Sequence, residues 1–430
     1  MVAHALTAFQ WLLLAGCAGA SLYAMLAAVA MPFFASRRGA STHHDFAGTA
    51  TGHAATAGRH SQLDFAQVGV SVLKPLCGAE PRLYENLQTF CEQRHGRFQL
   101  VLGVSSPEDP AIAVVRRLQA VYPQHDIELA IDTRVHGSNL KVSNLINMAE
   151  RARYEVIVIA DSDIAVEADY LDSVAAPLAD PRVGVVTCLY VAQGVGGFWP
   201  RVGSLFINEW FAPSVRVAHA AGSRRFGFGA TLALRRETLE RIGGFEALKN
   251  CLADDYWLAE HVRALGLQTV LSRVMVATDV IEPTFSALWQ RETRWLRTIR
   301  SINPLGFSFL FITFPTPWIL LGAWLTASVA ANAPAAHLGA VLMGAASTAL
   351  GLAARLLMHL RSARHERTFW RDLPLVPLRD GLLALQWFAG AFGSHVVWRG
   401  ARVPVGPARQ TTARKGALNV MDVAEASDGR

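Results

Sequence analysis

The sequence has few charged residues and no closely spaced cysteine pairs. Only 17% of its 430 residues are Asp, Glu, Lys or Arg, whereas 52% are hydrophobic. The five cysteines are scattered and include no Cys-x-x-Cys pair, which argues against a zinc site and a disulfide framework. The net charge is +6, but the basic residues cluster beside apolar runs and form no nucleic-acid reading element. Nucleic acid is therefore not an expected partner.

Two long stretches of the sequence contain no charged residue at all. Residues 5–36 form the first, and a membrane-spanning helix needs about 20 apolar residues. This stretch lacks the basic start and short apolar core of a signal peptide, so we interpret it as a retained membrane anchor. Arg37 and Arg38 follow it directly. The positive-inside rule then predicts that the next domain faces the cytoplasm.

The second uncharged stretch, residues 301–354, is long enough for two membrane spans. A third apolar run, residues 381–398, is compatible with a span, a re-entrant segment or an interfacial segment. Basic residues populate 355–371 and 399–414, and short basic segments favour the cytoplasmic side. Both can be cytoplasmic only if residues 381–398 do not cross, so we expect two complete C-terminal spans.

Between these apolar ends, β-branched runs alternate with amphipathic stretches. The runs predict strands at residues 68–73, 98–104, 127–131, 155–160 and 183–191. The amphipathic stretches predict helices at residues 80–94, 111–122, 140–151 and 256–265. This alternation is typical of an α/β domain with a mostly parallel sheet, in which ligands bind beyond the carboxyl ends of the strands.

Two carboxylates leave the fourth predicted strand together. Asp161 and Asp163 directly follow its apolar run, so both are expected at the ligand-binding edge of the sheet. Carboxylate oxygens are ligands for hard divalent cations, which can bridge them to a diphosphate and neutralise charge on the leaving group. The alternative is a solvated pair of acids in a turn.

A second acidic cluster, which includes Asp254 and Asp255, stands at the head of the helix predicted at residues 256–265. Acids at this position can simply stabilise the helix N-terminus. The functional alternative is a general base, because transfer of a group to a hydroxyl requires a carboxylate to accept the hydroxyl proton. We favour Asp255 as the base, with Asp254 as the next candidate.

A basic and aromatic cluster lies just before the second uncharged stretch. Arg291, Arg294 and Trp295 recur at helical spacing on one face. Arginine presents a forked donor suited to a diphosphate, and tryptophan can stack on a sugar or a base. A juxtamembrane basic belt with an aromatic anchor is the alternative.

Two polar segments have open interpretations. The loop at residues 224–229 contains two glycines, which either let the backbone approach a sugar or belong to an ordinary turn. Residues 37–66 lack hydrophobic periodicity and are predicted to be a flexible linker, although His43, His44, His53 and His60 could also bind a metal. The expected organisation is an anchor at 1–36, this linker, a catalytic domain at 67–300, a membrane region at 301–400 and a polar tail at 401–430.

In chain order, these motifs resemble the D, DxD, D, (Q/R)xxRW series of glycosyltransferases with the GT-A fold. The matching residues are Asp109, Asp161-Ser162-Asp163, Asp255 and Arg291-x-x-Arg294-Trp295. Within that group the sequence is most similar to ceramide glucosyltransferases, glycosyltransferase family 21. The strings that carry this likeness are Asp109-Pro110-Ala111-Ile112, Asn139-Leu140-Lys141-Val142-Ser143-Asn144-Leu145, Ala253-Asp254-Asp255-Tyr256 and Trp398-Arg399. The resemblance covers about residues 68–314, and beyond them only the layout matches.

The resemblance implies a GT-A catalytic domain and a role for each motif. Asp109 and Lys141 would hold the uridine and diphosphate end of a UDP-sugar. Asp161 and Asp163 would bind Mg²⁺ or Mn²⁺, and Asp255 would be the base of an inverting transfer. The remaining motif, Arg291, Arg294 and Trp295, would close over the diphosphate and the acceptor site.

The resemblance also implies a lipid acceptor in the membrane. Animal ceramide glucosyltransferases have glycine where this chain has Asp163, so the complete DxD favours a bacterial branch. That branch includes hopanoid glycosyltransferases, which transfer N-acetylglucosamine to bacteriohopanetetrol, and it implies a bacterial inner membrane. Transfer of glucose to ceramide is the alternative. The remaining alternatives are a processive polysaccharide synthase and a scaffold with an inactive domain. The small number of spans argues against the synthase, and the intact motifs argue against the scaffold.

Overall fold

The computed structural model describes residues 2–31, 68–332, 337–363, 365–393, 395–398 and 401–404. Most of the predicted linker and polar tail, including the four linker histidines, lie outside the described residues.

One eight-stranded sheet forms the centre of the structure. Its strands are β1 (Val70–Pro75), β2 (Phe98–Val104), β3 (Ile127–Ile131), β4 (Val156–Ile159), β5 (Ile164–Ala165), β6 (Val183–Gly194), β7 (Leu232–Arg235) and β8 (Gln268–Val280). Their order across the sheet is β3-β2-β1-β4-β7-β6-β8-β5. The predicted α/β class is confirmed. The sheet is mixed, however, because β7 runs antiparallel to β4 and β6, and β5 runs antiparallel to β8.

The strands of the first half are apolar because both faces of the sheet are covered. All six residues of β1 and all four of β4 are buried, as expected for strands enclosed by helices. The covering helices are α2 (Leu83–Cys91), α3 (Ala111–Val121), α4 (Leu140–Ala149), α5 (Tyr170–Ala175), α8 (Arg236–Arg241) and α9 (Asp254–Ala264). Helices α2, α3 and α5 pack on one face, and α4 and α9 on the other.

A helical region lies beside the sheet. It begins with α1 (Val2–Ala30) and includes α6 (Phe198–Phe206), α7 (Ala212–Ala220), α10 (Phe285–Ile302), α11 (Pro304–Phe309), α12 (Pro315–Asn332), α13 (Leu338–Ser362), α14 (Glu366–Asp372) and α15 (Leu375–Gly390). A single π-helical turn, Ile207–Phe211, joins α6 to α7, and we call it the π-turn. The apolar faces of α6, the π-turn, α10 and α15 share one buried cluster.

Within the part of the chain that the structure describes, two helices are long and apolar enough to cross a membrane. They are Ala8–Ala30 within α1 and Leu338–Ser362, which is α13. The segments Pro304–Thr313 and Pro315–Ala331 meet at 56° and together meet the same criterion. Small residues permit close packing here, as is common between membrane helices. A Cβ on Gly351 of α13, for example, would lie 2.9 Å from Ser21 Oγ of α1.

The third apolar run does not form one helix. Its first part is the C-terminal half of α15, and its last part is strand β9 (His395–Trp398), which pairs with β10 (Ala401–Pro404). Helix α15 carries Arg379, whose Nη1 lies 2.7 Å from Glu292 Oε2 of α10, and both side chains are buried. Arg297 of α10 donates to the His395 carbonyl. This run therefore packs along the helix that carries the predicted Arg-Trp motif.

Candidate active site

A cavity of about 490 Å³ opens beyond the carboxyl ends of β1 and β4, between the sheet, α10 and the π-turn. Its charged lining side chains come mainly from the strand ends, α4, α9 and the first half of α10, and its aromatic and aliphatic ones mainly from the π-turn and the second half of α10. We call these two parts of the cavity the acidic end and the apolar end. The cavity brings together seven of the eight predicted site residues: Lys141, Asp161, Asp163, Asp255, Arg291, Arg294 and Trp295.

Lys141 links the two acidic motifs that the sequence separates. Its Nζ lies 2.7 Å from Asp161 Oδ1 and 3.4 Å from Asp254 Oδ2. Lys141 lies in the first turn of α4, which Asn139 caps by accepting a hydrogen bond from the Val142 amide. Although burial disfavours its charge, the surrounding carboxylates hold the pKa of Lys141 above its ordinary value. Lys141 therefore stays positively charged between the C-terminal end of β4 and the N-terminus of α9.

Asp163 is the more enclosed member of the predicted metal pair. Its Oδ2 accepts a hydrogen bond from Thr278 Oγ1 of β8 at 2.7 Å. Burial and the neighbouring Asp161 raise the pKa of Asp163 to about 7. Lys74 lies below the pair and donates to the Asp161 carbonyl at 2.9 Å, and burial lowers its own pKa to about 7. The negative charge of Asp161 and Asp163 is thus concentrated at the acidic end, where the neighbouring lysines compensate it only in part.

Asp255 lies at the N-terminus of α9 and faces the cavity. Its Oδ2 accepts a hydrogen bond from the Gly229 amide at 2.9 Å, and its Oδ1 accepts one from the Tyr256 amide. Burial and the adjacent Asp254 raise the pKa of Asp255 to about 6. A carboxylate with this pKa is ionised at neutral pH and is more basic than an ordinary aspartate, which suits proton abstraction.

The predicted Arg-Trp motif lies on the cavity side of α10. Arg291 Nη1 donates to Glu282 Oε2 at 2.7 Å, whereas its buried Nε has no hydrogen-bond partner among the described residues. The guanidinium also lies over the Trp295 ring, with its Cζ 5.3 Å from the ring centroid. Burial and the nearby Arg291 lower the pKa of Arg294. Two half-buried guanidinium groups that repel one another favour an anion between them and the acidic end.

The apolar end is formed by the π-turn and the C-terminal half of α10. Its lining side chains include Phe206, Ile207, Trp210, Phe211, Ile299 and Ile302. Trp210 is held in place by a hydrogen bond from its Nε1 to Thr313 Oγ1 at 2.8 Å. This end is directed toward α11 and the apolar helices, because α10 continues directly into them.

Asp109 is the predicted site residue that the structure does not bring into the cavity wall. Both of its carboxylate oxygens accept a hydrogen bond from the Gly78 amide, at 3.0 and 3.1 Å. Its Oδ1 also accepts from the Ala111 amide at the start of α3. Asp109 therefore fixes the turn after β1, and its donor-binding role stays a prediction.

Several cavity residues were missed by the sequence reasoning. Glu282 is the second residue after β8, so a predicted β8 would have marked it as a polar residue at the end of a strand. Thr278 and Asp279 lie inside β8, and only the antiparallel pairing of β5 with β8 brings them beside Asp163. Glu80 reaches the acidic end from the loop after β1, where its Oε2 accepts from Ser162 Oγ at 2.8 Å.

The acidic end fits a divalent cation that is shared with a substrate. Among the described residues, no group of three or more His, Cys, Asp or Glu side chains is arranged to hold a metal ion. Asp161 and Asp163 supply carboxylates, and the raised pKa of Asp163 marks a site where a cation would relieve repulsion. Mg²⁺ commonly takes one or two carboxylates and completes its shell with water and substrate phosphates.

The family model of "Glycosyl transferase family 21" matches residues 40–411 of this chain. Ceramide glucosyltransferase 1 of Caenorhabditis elegans is 27% identical over 237 residues, which are 55% of this chain and 51% of the relative. Ceramide glucosyltransferase of Pyricularia oryzae is 35% identical over 110 residues, or 22% of each chain. The match thus spans about half the length, or less, of these curated relatives.

Among solved structures, a mannosyltransferase from Pyrobaculum calidifontis in complex with GDP-mannose and Mn²⁺ is 21% identical to this chain. The superposition covers 74% of this chain and 86% of that one, with a TM-score of 0.44. The structure of GalNAc-T7 with UDP, GalNAc and Mn²⁺ is 11% identical, covers 56% of this chain and 52% of that one, and has a TM-score of 0.37.

Proposed function

The chain belongs to glycosyl transferase family 21, and we propose that it is an inverting glycosyltransferase that moves a sugar from a UDP-sugar to a hydroxyl of a membrane lipid. This family was predicted from the motif series and is confirmed by the match over residues 40–411. The single observation that carries the proposed activity is the two-ended cavity, in which Asp255 lies near charged groups suited to a diphosphate and an apolar wall suited to a lipid.

The donor binds at the acidic end in this proposal. Its diphosphate lies between Lys141 and the two guanidinium groups of Arg291 and Arg294, all of which line the cavity. Asp161 and Asp163 would hold Mg²⁺ or Mn²⁺, which supplies positive charge to the leaving diphosphate. Burial of these groups strengthens their interactions with the phosphates relative to water.

The transfer is a single displacement. Asp255 accepts the proton of the acceptor hydroxyl, and the hydroxyl oxygen forms a bond with the anomeric carbon. The bond between that carbon and the diphosphate oxygen breaks, and UDP leaves with the bonding electron pair. The Gly229 and Tyr256 amides orient the Asp255 carboxylate for this step.

The acceptor lies at the apolar end with its hydroxyl toward Asp255. The apolar helices on either side of the catalytic region confine enzyme and lipid to one plane, which raises their effective concentration. Arg37 and Arg38 after the first apolar helix support a cytoplasmic catalytic domain. We propose a bacterial inner membrane as the location.

For the substrates we propose N-acetylglucosamine and bacteriohopanetetrol, a choice supported by the complete Asp161-x-Asp163 motif. Ceramide and UDP-glucose are the second candidate pair, because both curated relatives described above are ceramide glucosyltransferases. The experiment is a side-by-side assay of the purified full-length chain with both lipids and both sugar donors. We expect product from bacteriohopanetetrol and UDP-N-acetylglucosamine.

Product from ceramide and UDP-glucose alone would reject the hopanoid substrate and leave the lipid glycosyltransferase activity intact. A polymer of sugar in place of a glycolipid would indicate a processive synthase. A protein that binds the donor but neither hydrolyses nor transfers it would indicate a scaffold. Each outcome is read from the same reactions by mass spectrometry of the lipid and aqueous phases.

A further inference from the structure

A cluster of four ionisable side chains lies buried behind the apolar wall of the cavity. Glu209, Arg355, His359 and Asp380 are each at most 6% exposed. They come from three elements, the π-turn, α13 and α15. We call them the Glu209 cluster. None of them lines the cavity, and no carboxylate of the acidic end belongs to the cluster.

Both carboxylate oxygens of Glu209 accept hydrogen bonds from other residues of this region. Its Oε2 accepts from Arg355 Nη1 at 2.5 Å, and its Oε1 accepts from Ser362 Oγ at 2.6 Å. The same Oε1 lies 2.6 Å from His359 Nδ1. Arg355 continues the network with Nε and Nη2, which donate to the two oxygens of Asp380 at 2.8 and 3.0 Å. Thr316 Oγ1 of α12 donates to Asp380 as well.

The neighbours of Glu209 in the π-turn form the apolar wall. Ile207, Trp210 and Phe211 line the cavity, whereas the Glu209 carboxylate contacts α13. A π-helical turn is rare and is often found at functional sites. Both oxygens of the Glu209 carboxylate accept hydrogen bonds. They therefore hold the π-turn in a conformation that directs the neighbouring aromatic side chains into the cavity.

Two members of the cluster belong to an apolar helix that is long enough to cross a membrane. Arg355 and His359 lie in the last third of α13, Leu338–Ser362. Ionisable residues in such helices are costly unless they are paired, and they commonly mark functional sites. The cluster thus connects the position of α13 to the wall of the cavity through direct contacts between side chains.

We propose that Glu209 is a positioning residue for the lipid acceptor. Through Arg355 and Asp380 it fixes the π-turn against α13 and α15, so that the wall aligns the acceptor hydroxyl with Asp255. The carboxylates and Lys141 of the acidic end are held by β4, α4 and α9, and Arg291 of α10 pairs with Glu282 rather than with a member of the cluster. We therefore expect donor binding not to depend on the cluster. This inference rests on the proposed lipid glycosyltransferase function.

The test is Glu209→Gln in the full-length chain, assayed with a UDP-sugar and the lipid that the wild-type protein accepts. We expect the KM for the lipid to rise about tenfold, because the amide cannot satisfy Arg355 and the wall shifts. The KM for the donor and the slow hydrolysis of the donor without lipid should stay unchanged. A merely structural lesion would lower the active fraction and leave both KM values unaltered.

Asp372→Asn is the matched control. Arg201 Nε of α6 donates to Asp372 Oδ1 of α14 at 2.8 Å, and this pair also joins α6 to a C-terminal helix without lining the cavity. This variant should leave both KM values unchanged. An equal rise in the lipid KM for Asp372→Asn would assign the effect to general loosening and reject the role of Glu209.

Ser362→Ala provides a milder test if Glu209→Gln does not fold. It removes one hydroxyl that donates to Glu209 Oε1, and the lipid KM should rise about two- to threefold with an unchanged donor KM. An unchanged lipid KM in the folded variants would overturn the inference. Absence of lipid-dependent UDP release from the wild-type protein would instead reject the proposed function, and the inference with it.

Discussion

The acidic and apolar ends of the cavity are held in place by different means. Asp161 and Asp163 follow a buried strand, and Lys141 and Asp255 occupy the first turns of two helices that pack on the sheet. The apolar wall lies in a π-turn, whose position depends on buried ionic contacts with α13. The backbone of the sheet thus fixes the first end, and side chains of distant helices fix the second.

This difference predicts that substitutions at the two ends have different effects on donor and lipid binding. A change at the acidic end should alter chemistry or donor binding and leave lipid binding intact. A change at the apolar end should weaken lipid binding and leave donor binding intact. The following predictions test that separation, beginning with the largest expected effect.

Asp255→Asn should lower the rate of transfer by about two to four orders of magnitude, the usual contribution of a general base. Donor binding should persist, because Lys141, Arg291 and Arg294 remain. The measurements are single-turnover transfer and calorimetric titration with the donor. Asp254→Asn is the control, and a larger loss in that variant would assign the base to Asp254.

Removal of divalent cations should stop transfer, with a loss on the order of a hundredfold or more, because charge on the leaving diphosphate is no longer neutralised. Addition of Mg²⁺ or Mn²⁺ should restore it. The measurement is transfer in excess EDTA followed by titration with each metal. Undiminished transfer in EDTA would exclude a metal role for Asp161 and Asp163.

Gly229→Ala should raise the KM for the donor by about tenfold, because a Cβ there would lie 2.7 Å from Asp161 Oδ2 and 3.3 Å from Lys141 Nζ. The lipid KM should not change. Gly96→Ala is the matched control, since its Cβ would have no neighbour within 4 Å. A rise in the lipid KM for Gly229→Ala would contradict the separation of the two ends.

Ile302→Ala should have the smallest effect, a rise of several-fold in the KM for the lipid with an unchanged donor KM. The substitution removes about three carbon atoms from the apolar wall, each worth up to about 0.8 kcal/mol of apolar contact when it is fully buried. Leu305→Ala is the control, because Leu305 is 71% exposed and does not line the cavity. Equal effects of both substitutions would indicate a general influence of the membrane on the enzyme.

The sequence predicted the first half of the sheet closely and the second half poorly. Strand β2 has the predicted bounds, and β1 is displaced by two residues because the apolar run starts before the first ladder contact. Strands β7 and β8 were not predicted. Strand β7 has only four residues, and the buried positions of β8 are interrupted by exposed Gln268 and Arg273. The antiparallel pairs that make the sheet mixed follow from these two strands.

The sequence alone determined the family, the α/β class and the identity of the motif residues. These depend on local patterns, namely apolar runs, carboxylates directly after a strand, and arginine and tryptophan at helical spacing. Seven of the eight predicted site residues share the cavity. Asp161 and Asp163 reach it from the carboxyl end of β4, whereas helices α4, α9 and α10 carry the other five.

Only the tertiary structure decided which further residues complete the site. Lys141 joins Asp161 to Asp254, Thr278 reaches Asp163, and Glu209 meets Arg355 across 146 positions of sequence. No local pattern marks such contacts, because they arise from the pairing of strands that are distant in sequence and from the packing of helices. The free energy of pairing a buried charge is gained only after the chain has brought both partners together, so a single sequence carries no separate signal for it.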